Sequence, residues 1–201
     1  MTTSVALAIV ASYLLGAIPT SYWVVKAVTG QDLRTLGSGN LGATNLYRQL
    51  GFRFAIPVAA FDMIKGAIPV AFFGPMAGLG LVGSVLLGIV ATLGHVFSVF
   101  VGFKGGKGVA TGGGIVLGLA PLAFVVTLVV WAVTVKLSGY VSLGSILAAV
   151  VLPPAVWVLY PARRDAVLFL AALALLVVWF HRANIGRLLR GTEHRFGARP
   201  S

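Results

Sequence analysis

Residues Ser4–Val25, SVALAIVASYLLGAIPTSYWVV, run for 22 positions without a charge. As a helix rising about 1.5 Å per residue they reach about 33 Å, enough to cross the hydrocarbon core of a bilayer. A secretory signal has a shorter apolar core preceded by positive charge; here the first charge, Lys26, follows the segment. The stretch therefore reads as a retained first span with its N-terminus outside, because basic residues favour the cytoplasmic flank. Ala8, Ser12, Gly16 and Thr20 repeat at i, i+4, a small-residue stripe suited to close helix contact.

The pattern continues outward from this segment. Of 201 residues, 59% are hydrophobic and 9% charged, against about 25% charged in an ordinary soluble domain. Further apolar segments cover Phe54–Phe73, Gly78–Val101, Gly112–Val135, Val141–Tyr160 and Ala166–Phe180, with Gly74-Pro75-Met76-Ala77 as a tight turn between two of them. At roughly 20 residues per crossing, the chain holds at most about seven spans. No separate soluble domain fits, so residues 1–201 read as one integral membrane domain. The absence of cysteine removes a disulfide framework, a thiol nucleophile and a Cys-based metal site.

The net charge of +11 invites a nucleic-acid reading, but the placement of the charges argues for topology instead. Six spans would put eight basic residues inside and six outside. If Gly112–Val135 does not make one simple crossing, Lys26, Arg34, Arg48, Arg53, Lys104, Lys107, Lys136, Arg182, Arg187, Arg190, Arg195 and Arg199 share the cytoplasmic side. Only Arg163 and Arg164 then lie outside, with Lys65 in the membrane, a split of 12 to 2. That segment begins Gly112-Gly113-Gly114 and carries Pro121, both suited to breaking a helix. A re-entrant loop gives five crossings and two short helices give seven. The expected fold class is all-α: a polytopic membrane helix bundle of five to seven transmembrane helices, N-terminus outside and C-terminus cytoplasmic.

This topology gathers three polar islands on one face: Gly37–Arg48, Gly94–Thr111 and His181–Asn184. Each has the parts of an anion site, namely glycines that free backbone N–H groups, a following helix N-terminus and a full positive charge. With no acidic cluster, the expected ligand is phosphate held without a metal, and no cofactor is implied. In the first island Ser38, Asn40, Thr44, Asn45 and Arg48 are more polar side chains than one helix cap needs. In the second, Lys107 sits within a glycine run with Lys104, Gly105 and Gly106 beside it, and His95 closes the preceding span. In the third, His181 and Asn184 are i, i+3 on one helical face. Asp62 and Lys65, also i, i+3 inside an apolar helix, read as a mutual ion pair supporting the first island.

Two motif matches mislead. Gly37-Ser-Gly-Asn-Leu-Gly42 fits G-x-G-x-x-G with Asp62 20 residues on, but it follows a membrane span and not a β-strand, so a dinucleotide fold is excluded. Gly106-Lys107-Gly108 lacks the upstream glycine spacing and the Ser/Thr of a P-loop. The tail from Arg182, with Ile185, Leu188, Leu189 and five arginines, suits anionic headgroups and accounts for much of the basic balance without nucleic acid.

Taken in order, GSGNLGATNLYRQLG, GHVFSVFVGFKGGKGVATGGG and HRANIGRLLRGTEHRFG, with FDMIKG at 61–66, resemble the signature loops of bacterial acyl-phosphate-dependent glycerol-3-phosphate acyltransferases. The resemblance implies transfer of a fatty acyl group from acyl phosphate to the 1-hydroxyl of sn-glycerol 3-phosphate, the first acylation of phospholipid synthesis, at the cytoplasmic face of the bacterial cell membrane. It implies catalytic roles for Ser38, Arg48, His181 and Asn184, with Lys107 in a glycerol-phosphate loop. Leu41 stands where Pro is common in the family, which is expected to alter loop stiffness and not chemistry. The residues suit this independently. An acyl phosphate is already activated and needs no acyl-enzyme, so positioning and cationic stabilisation of the oxyanion and leaving phosphate suffice. The base is His181 or a substrate phosphate oxygen. The partners expected are the two substrates and membrane lipid, with no nucleic acid and no obligate protein. A phosphate-ester or anion transporter is the rival from another class, disfavoured because no internal repeat and no second polar set on the other face are present.

Overall fold

The computed structural model describes residues 2–197; Arg199 of the basic tail lies outside the described residues. Every element among these residues is helical. The helices are α1 (Thr3–Ala17), α2 (Thr20–Thr29), α3 (Ala43–Leu50), α4 (Phe52–Ile68), α5 (Gly74–Met76), α6 (Leu81–Val96), α7 (Val109–Leu119), α8 (Pro121–Ser138), α9 (Val141–Leu159), α10 (Val167–Phe180) and α11 (Arg182–Leu189). Five stretches are long and apolar enough to cross a membrane: Thr3–Thr29, Phe52–Met76, Leu81–Val101, Pro121–Ser138 and Val141–Leu159. A sixth, Pro161–Phe180, bends by 55° into Arg182–Leu189.

The first compact unit ends at Gly118. Its first span runs on past Val25 to Thr29 and breaks at Ile18, whose ψ of 111° leaves the helical region. Pro19 imposes the break, since it restricts the residue before it and has no N–H to give. The break releases main-chain carbonyls: Ala17 O accepts from Ser98 Oγ and Ile18 O accepts from Lys65 Nζ at 3.0 Å. The small-residue stripe faces α6, where a Cβ on Gly16 would meet the Ala91 carbonyl and one on Gly94 would meet the Tyr13 carbonyl. Ser12 is fully buried there, its hydroxyl donating to Ala8 O at 2.6 Å. The helical path of the second span runs through a π-helical turn, Pro69–Phe73, and continues beyond Phe73 into α5. The reversal therefore falls after Met76, at Gly78 with φ +70°, and not at Gly74–Ala77. Helix α7 packs on α4 through glycines: a Cβ on Gly66 would strike the Thr111 carbonyl, and one on Gly114 the Met63 carbonyl.

The expected Gly112–Val135 segment is two helices, α7 and α8, separated at Ala120, whose φ of −145° and ψ of 73° leave the helical region. Pro121 then serves as a first-turn residue of α8, where its missing N–H costs nothing.

The second unit begins at Leu119. In it α8 and α9 form a hairpin turned at Gly139, φ +77°. They close at Gly144, where a Cβ would press on Trp131 and Val135. Helix α10 packs against α9. Large apolar side chains left exposed, such as Leu168 at 74% and Leu175 at 71%, suit contact with lipid. Arg164 over Trp157 and Arg182 over Trp179, at 4.5 and 5.1 Å, are amphipathic pairs of the kind found at headgroup level.

Candidate active site

In the first unit, the first island is a loop built around one buried amide. Asn45, 1% exposed, accepts from the Ser38 N–H at 3.2 Å and donates to Leu36 O at 3.0 Å. Its polar atoms are spent on the loop, so its place is to shape the island that presents Ser38. Gly37 and Gly39 take φ +53° and +68°, and a Cβ on Gly37 would also crowd the Asn45 amide. Below lies an apolar knot of Val25, Leu33, Leu41, Leu46, Val58 and Val101. Leu41 contributes an anchor 2% exposed, and its carbonyl accepts from Ser21 Oγ at 3.0 Å. Ser38 is exposed; Asn40, Thr44 and Arg48 are half-buried, and Asn40 folds over Gly42 at the start of α3.

The second island is a glycine loop clamped to the end of α6. Gly105 N–H donates to Val96 O at 2.9 Å and Gly106 N–H to His95 O at 3.1 Å. Those two donors face inward, so they are not aimed at an anion as the sequence alone suggested. What the glycines supply is proximity: a Cβ on Gly105 would collide with the His95 carbonyl, and one on Gly106 with His95 Nε2. Beyond them, Lys107 is half-buried and α7 begins directly after Gly108, which takes φ +76°. Lys104 is exposed and lines a polar pocket with Asp32, Arg34, Thr35 and Gly39. There the Arg34 guanidinium, hydrogen-bonded to Asp32, holds that carboxyl below its ordinary value.

Beneath the glycine loop sits a buried charge cluster. Lys65, with no exposed surface, lies 2.8 Å from Asp62 Oδ1, and His95 Nδ1 is 3.8 Å from the same oxygen. The expected ion pair is present, but through His95 it backs the second island and not the first. His95 itself is 7% exposed, and its ring forms the floor on which Gly106 rests.

In the second unit, His181 marks the 55° bend. It is 3% exposed, with Nδ1 2.7 Å from Val177 O. A ring nitrogen facing a carbonyl must carry the proton, which makes Nε2 the acceptor of the neutral ring. Asn184, 5% exposed, donates from Nδ2 to Glu193 Oε1 at 2.6 Å. Glu193 also accepts from Ser142 Oγ at 2.9 Å and from Arg187 Nε at 2.7 Å. Burial pushes its carboxyl up, but these three hydrogen bonds outweigh that and hold it below the ordinary value. Neither Ser142 nor Glu193 was singled out from sequence. The available signal was rarity, since Glu193 is one of four acidic residues in the chain. Among the described residues no cluster of His, Cys, Asp and Glu could hold a metal.

Residues 6–191 match the family model described as glycerol-3-phosphate acyltransferase. Curated relatives include a glycerol-3-phosphate acyltransferase of Geobacter metallireducens, 50% identical over 93% of this chain and 95% of its own. Another, glycerol-3-phosphate acyltransferase 1 of Deinococcus radiodurans, is 44% identical over the whole of both chains. Two crystal structures of an integral membrane glycerol 3-phosphate acyltransferase superpose on this fold over 96% of both chains. Its glycerol 3-phosphate form gives a TM-score of 0.88 at 39% identity, and its lysophosphatidic acid form 0.85 at 37%.

Proposed function

The chain belongs to the glycerol-3-phosphate acyltransferase family, a multi-pass membrane enzyme that acylates glycerol 3-phosphate to lysophosphatidic acid; from that premise we propose acyl phosphate as its donor, sn-glycerol 3-phosphate 1-hydroxyl as its acceptor and the cytoplasmic face as the side of reaction. The observation that carries the acceptor is the match, over 96% of both chains, to structures of a relative in glycerol 3-phosphate and lysophosphatidic acid forms. With no cysteine in the chain a thioester acyl-enzyme is ruled out, and acyl phosphate is taken as donor because the three polar islands resemble those of acyl-phosphate-dependent enzymes, a mixed anhydride being activated for direct transfer.

The hydroxyl oxygen attacks the acyl carbonyl carbon, the tetrahedral intermediate collapses, and the C–O bond to phosphate breaks. One ester and one inorganic phosphate result, and the hydroxyl proton leaves with His181 Nε2 or a phosphate oxygen. Arg48 and Lys107 counter the phosphate charges, Ser38 donates from the first island, and Asn184 orients the hydroxyl. Such preorganised charge acts without reorganisation during the reaction. Lys104, in its exposed polar pocket, attracts the anionic substrates. The N-terminus lies outside, the C-terminus is cytoplasmic and residues 1–201 work as one domain.

Purified protein in lipid discs, given palmitoyl phosphate and glycerol 3-phosphate, is expected to release phosphate and form lysophosphatidate only when both are present. Equal turnover with acyl-CoA and none with acyl phosphate would overturn the donor assignment. Labelling of a Ser138→Cys variant from the outer side of sealed vesicles would overturn the orientation.

A further inference from the structure

On the second unit the elbow between α10 and α11 leaves a groove of about 650 Å3, lined by Ala172, Leu175, Leu176 and Trp179 of α10 and by Arg182 and Ile185 of α11. The α10 residues fall at i, i+3, i+4 and i+7, one helical face, turned away from the buried Leu170, Leu173, Ala174 and Val177. A straight helix would carry Ile185, six residues past Trp179, round to another side. The 55° bend brings it back as a second wall. From Ala172 to Arg182 the chain climbs ten residues, about 15 Å, which is half the hydrocarbon thickness of a bilayer. The groove thus has the length of one leaflet.

Arg182 ends it. This side chain is exposed, with its guanidinium 5.1 Å over the Trp179 ring and Nη1 donating to Trp179 O at 3.2 Å, a use of one of five N–H donors. Among the described residues no carboxylate pairs with it. The neighbouring arginines are placed otherwise. Arg187 is spent on Glu193 at 2.7 Å. Arg195 belongs to the strap of residues 192–196, which returns to the α8–α9 turn as Phe196 N–H donates to Gly139 O, and it lies 5.5 Å over the Tyr140 ring. Neither His181 nor Asn184 lines the groove.

We propose that this elbow is a binding site for an anionic glycerophospholipid of the surrounding membrane, with one acyl chain in the groove along α10 and the phosphate on the Arg182 guanidinium. A planar fork of donors matches phosphate oxygens, and the aromatic face under it excludes water on one side. A zwitterionic lipid offers the same phosphate but brings its own cation, which Arg182 repels, so the site selects net negative headgroups. The lipid touches both sides of the bend and so stiffens the join between α10 and α11.

The test is lipid retention by the purified full-length protein, equilibrated in detergent with palmitoyl-oleoyl phosphatidylglycerol and phosphatidylcholine and read by native mass spectrometry. The parent is expected to retain phosphatidylglycerol about fivefold more than phosphatidylcholine, the effect of one well-placed arginine. Arg182→Gln should erase that preference while keeping phosphatidylcholine within about twofold. Ala172→Trp fills the groove and should displace both lipids, whereas Arg190→Gln, outside the groove, should change neither. No headgroup preference in the parent overturns the proposal, and so does an equal loss from Arg182→Gln and Arg190→Gln, which would mark a diffuse basic surface. The acyl chain of the donor is the rival occupant. Ala172→Trp with a raised KM for palmitoyl phosphate and undiminished phosphatidylglycerol would assign the groove to that chain and overturn the proposal. If Arg182→Gln fails to fold, the unaltered side chain decides: brominated phosphatidylglycerol is expected to quench Trp179 fluorescence, taken as the difference from Trp179→Phe, more strongly than brominated phosphatidylcholine at equal mole fraction. Equal quenching overturns the proposal.

Discussion

The glycine loop at 102–108 and the C-terminal strap at 192–196 hold polar residues in place by opposite means. In the loop the contacts are main chain against main chain, with Gly105 and Gly106 pressed on the carbonyls that end α6. In the strap, main-chain bonds from Thr192 and Phe196 are joined by side chains converging on one carboxylate. Backbone cannot yield to an added methyl, whereas a side-chain node can be retuned by an isostere or by pH. The loop should therefore fail abruptly when altered, and the strap by degrees.

The largest effect is expected under the loop. Lys65→Met leaves Asp62 buried and uncompensated, which costs about 3–5 kcal/mol, seen as a lower midpoint of thermal unfolding in detergent. Adding Asp62→Leu to that variant should restore much of the loss. If Lys65→Met unfolds like the parent, the buried cluster is not the loop's foundation. Next come the loop glycines. Gly105→Ala drives a methyl into the His95 carbonyl and should cost about 1–3 kcal/mol, together with a raised KM for glycerol 3-phosphate. Gly102→Ala meets nothing within 4 Å and bears only the left-handed backbone cost, about 1–2 kcal/mol, with KM unchanged. Equal KM effects would erase the distinction between close approach and turn geometry.

The strap should answer to acidity. The Glu193 carboxyl is held below its ordinary value of 4.5, so its stabilising contribution is complete above that value and is lost as pH falls through the lower folded value. Hydrogen exchange at Phe196 N–H should accelerate over that window relative to Gly105 N–H, after correction for intrinsic rates. Parallel behaviour of the two amides would argue against a carboxylate-held strap. The smallest effect belongs to Arg195→Ala, which removes an exposed cation–π contact of about 0.5–1 kcal/mol and should leave kcat within about twofold.

Much of this was readable along the chain because it is written in local patterns. Uncharged runs of span length, the small-residue stripe and the resemblance of the three islands all lie within short windows of sequence. The small-residue stripe of the first span faced α6 as its spacing required, and Asp62 paired with Lys65 as i, i+3 placement allows. Span ends were less legible. The first span continues past Val25 because a proline break still leaves helix on both sides, and Gly74–Met76 stays helical because its bonds reach back along the same helix. The inward turn of the Gly105 and Gly106 donors was hidden for a different reason. Glycine frees a backbone to approach something, and composition does not say whether that partner is a ligand or a neighbouring carbonyl.

Sequence by itself determined the membrane class, the family and the identity of the polar residues, since these depend on hydropathy and motif order. Only the tertiary structure decided what each polar atom is spent on. Asn45 turns its amide to its own loop, His95 becomes a floor for Gly106, and Glu193 gathers Ser142, Asn184 and Arg187 from positions up to 51 residues away. Hydrogen bonds act over about 3 Å, and chain folding alone sets which groups come within that distance.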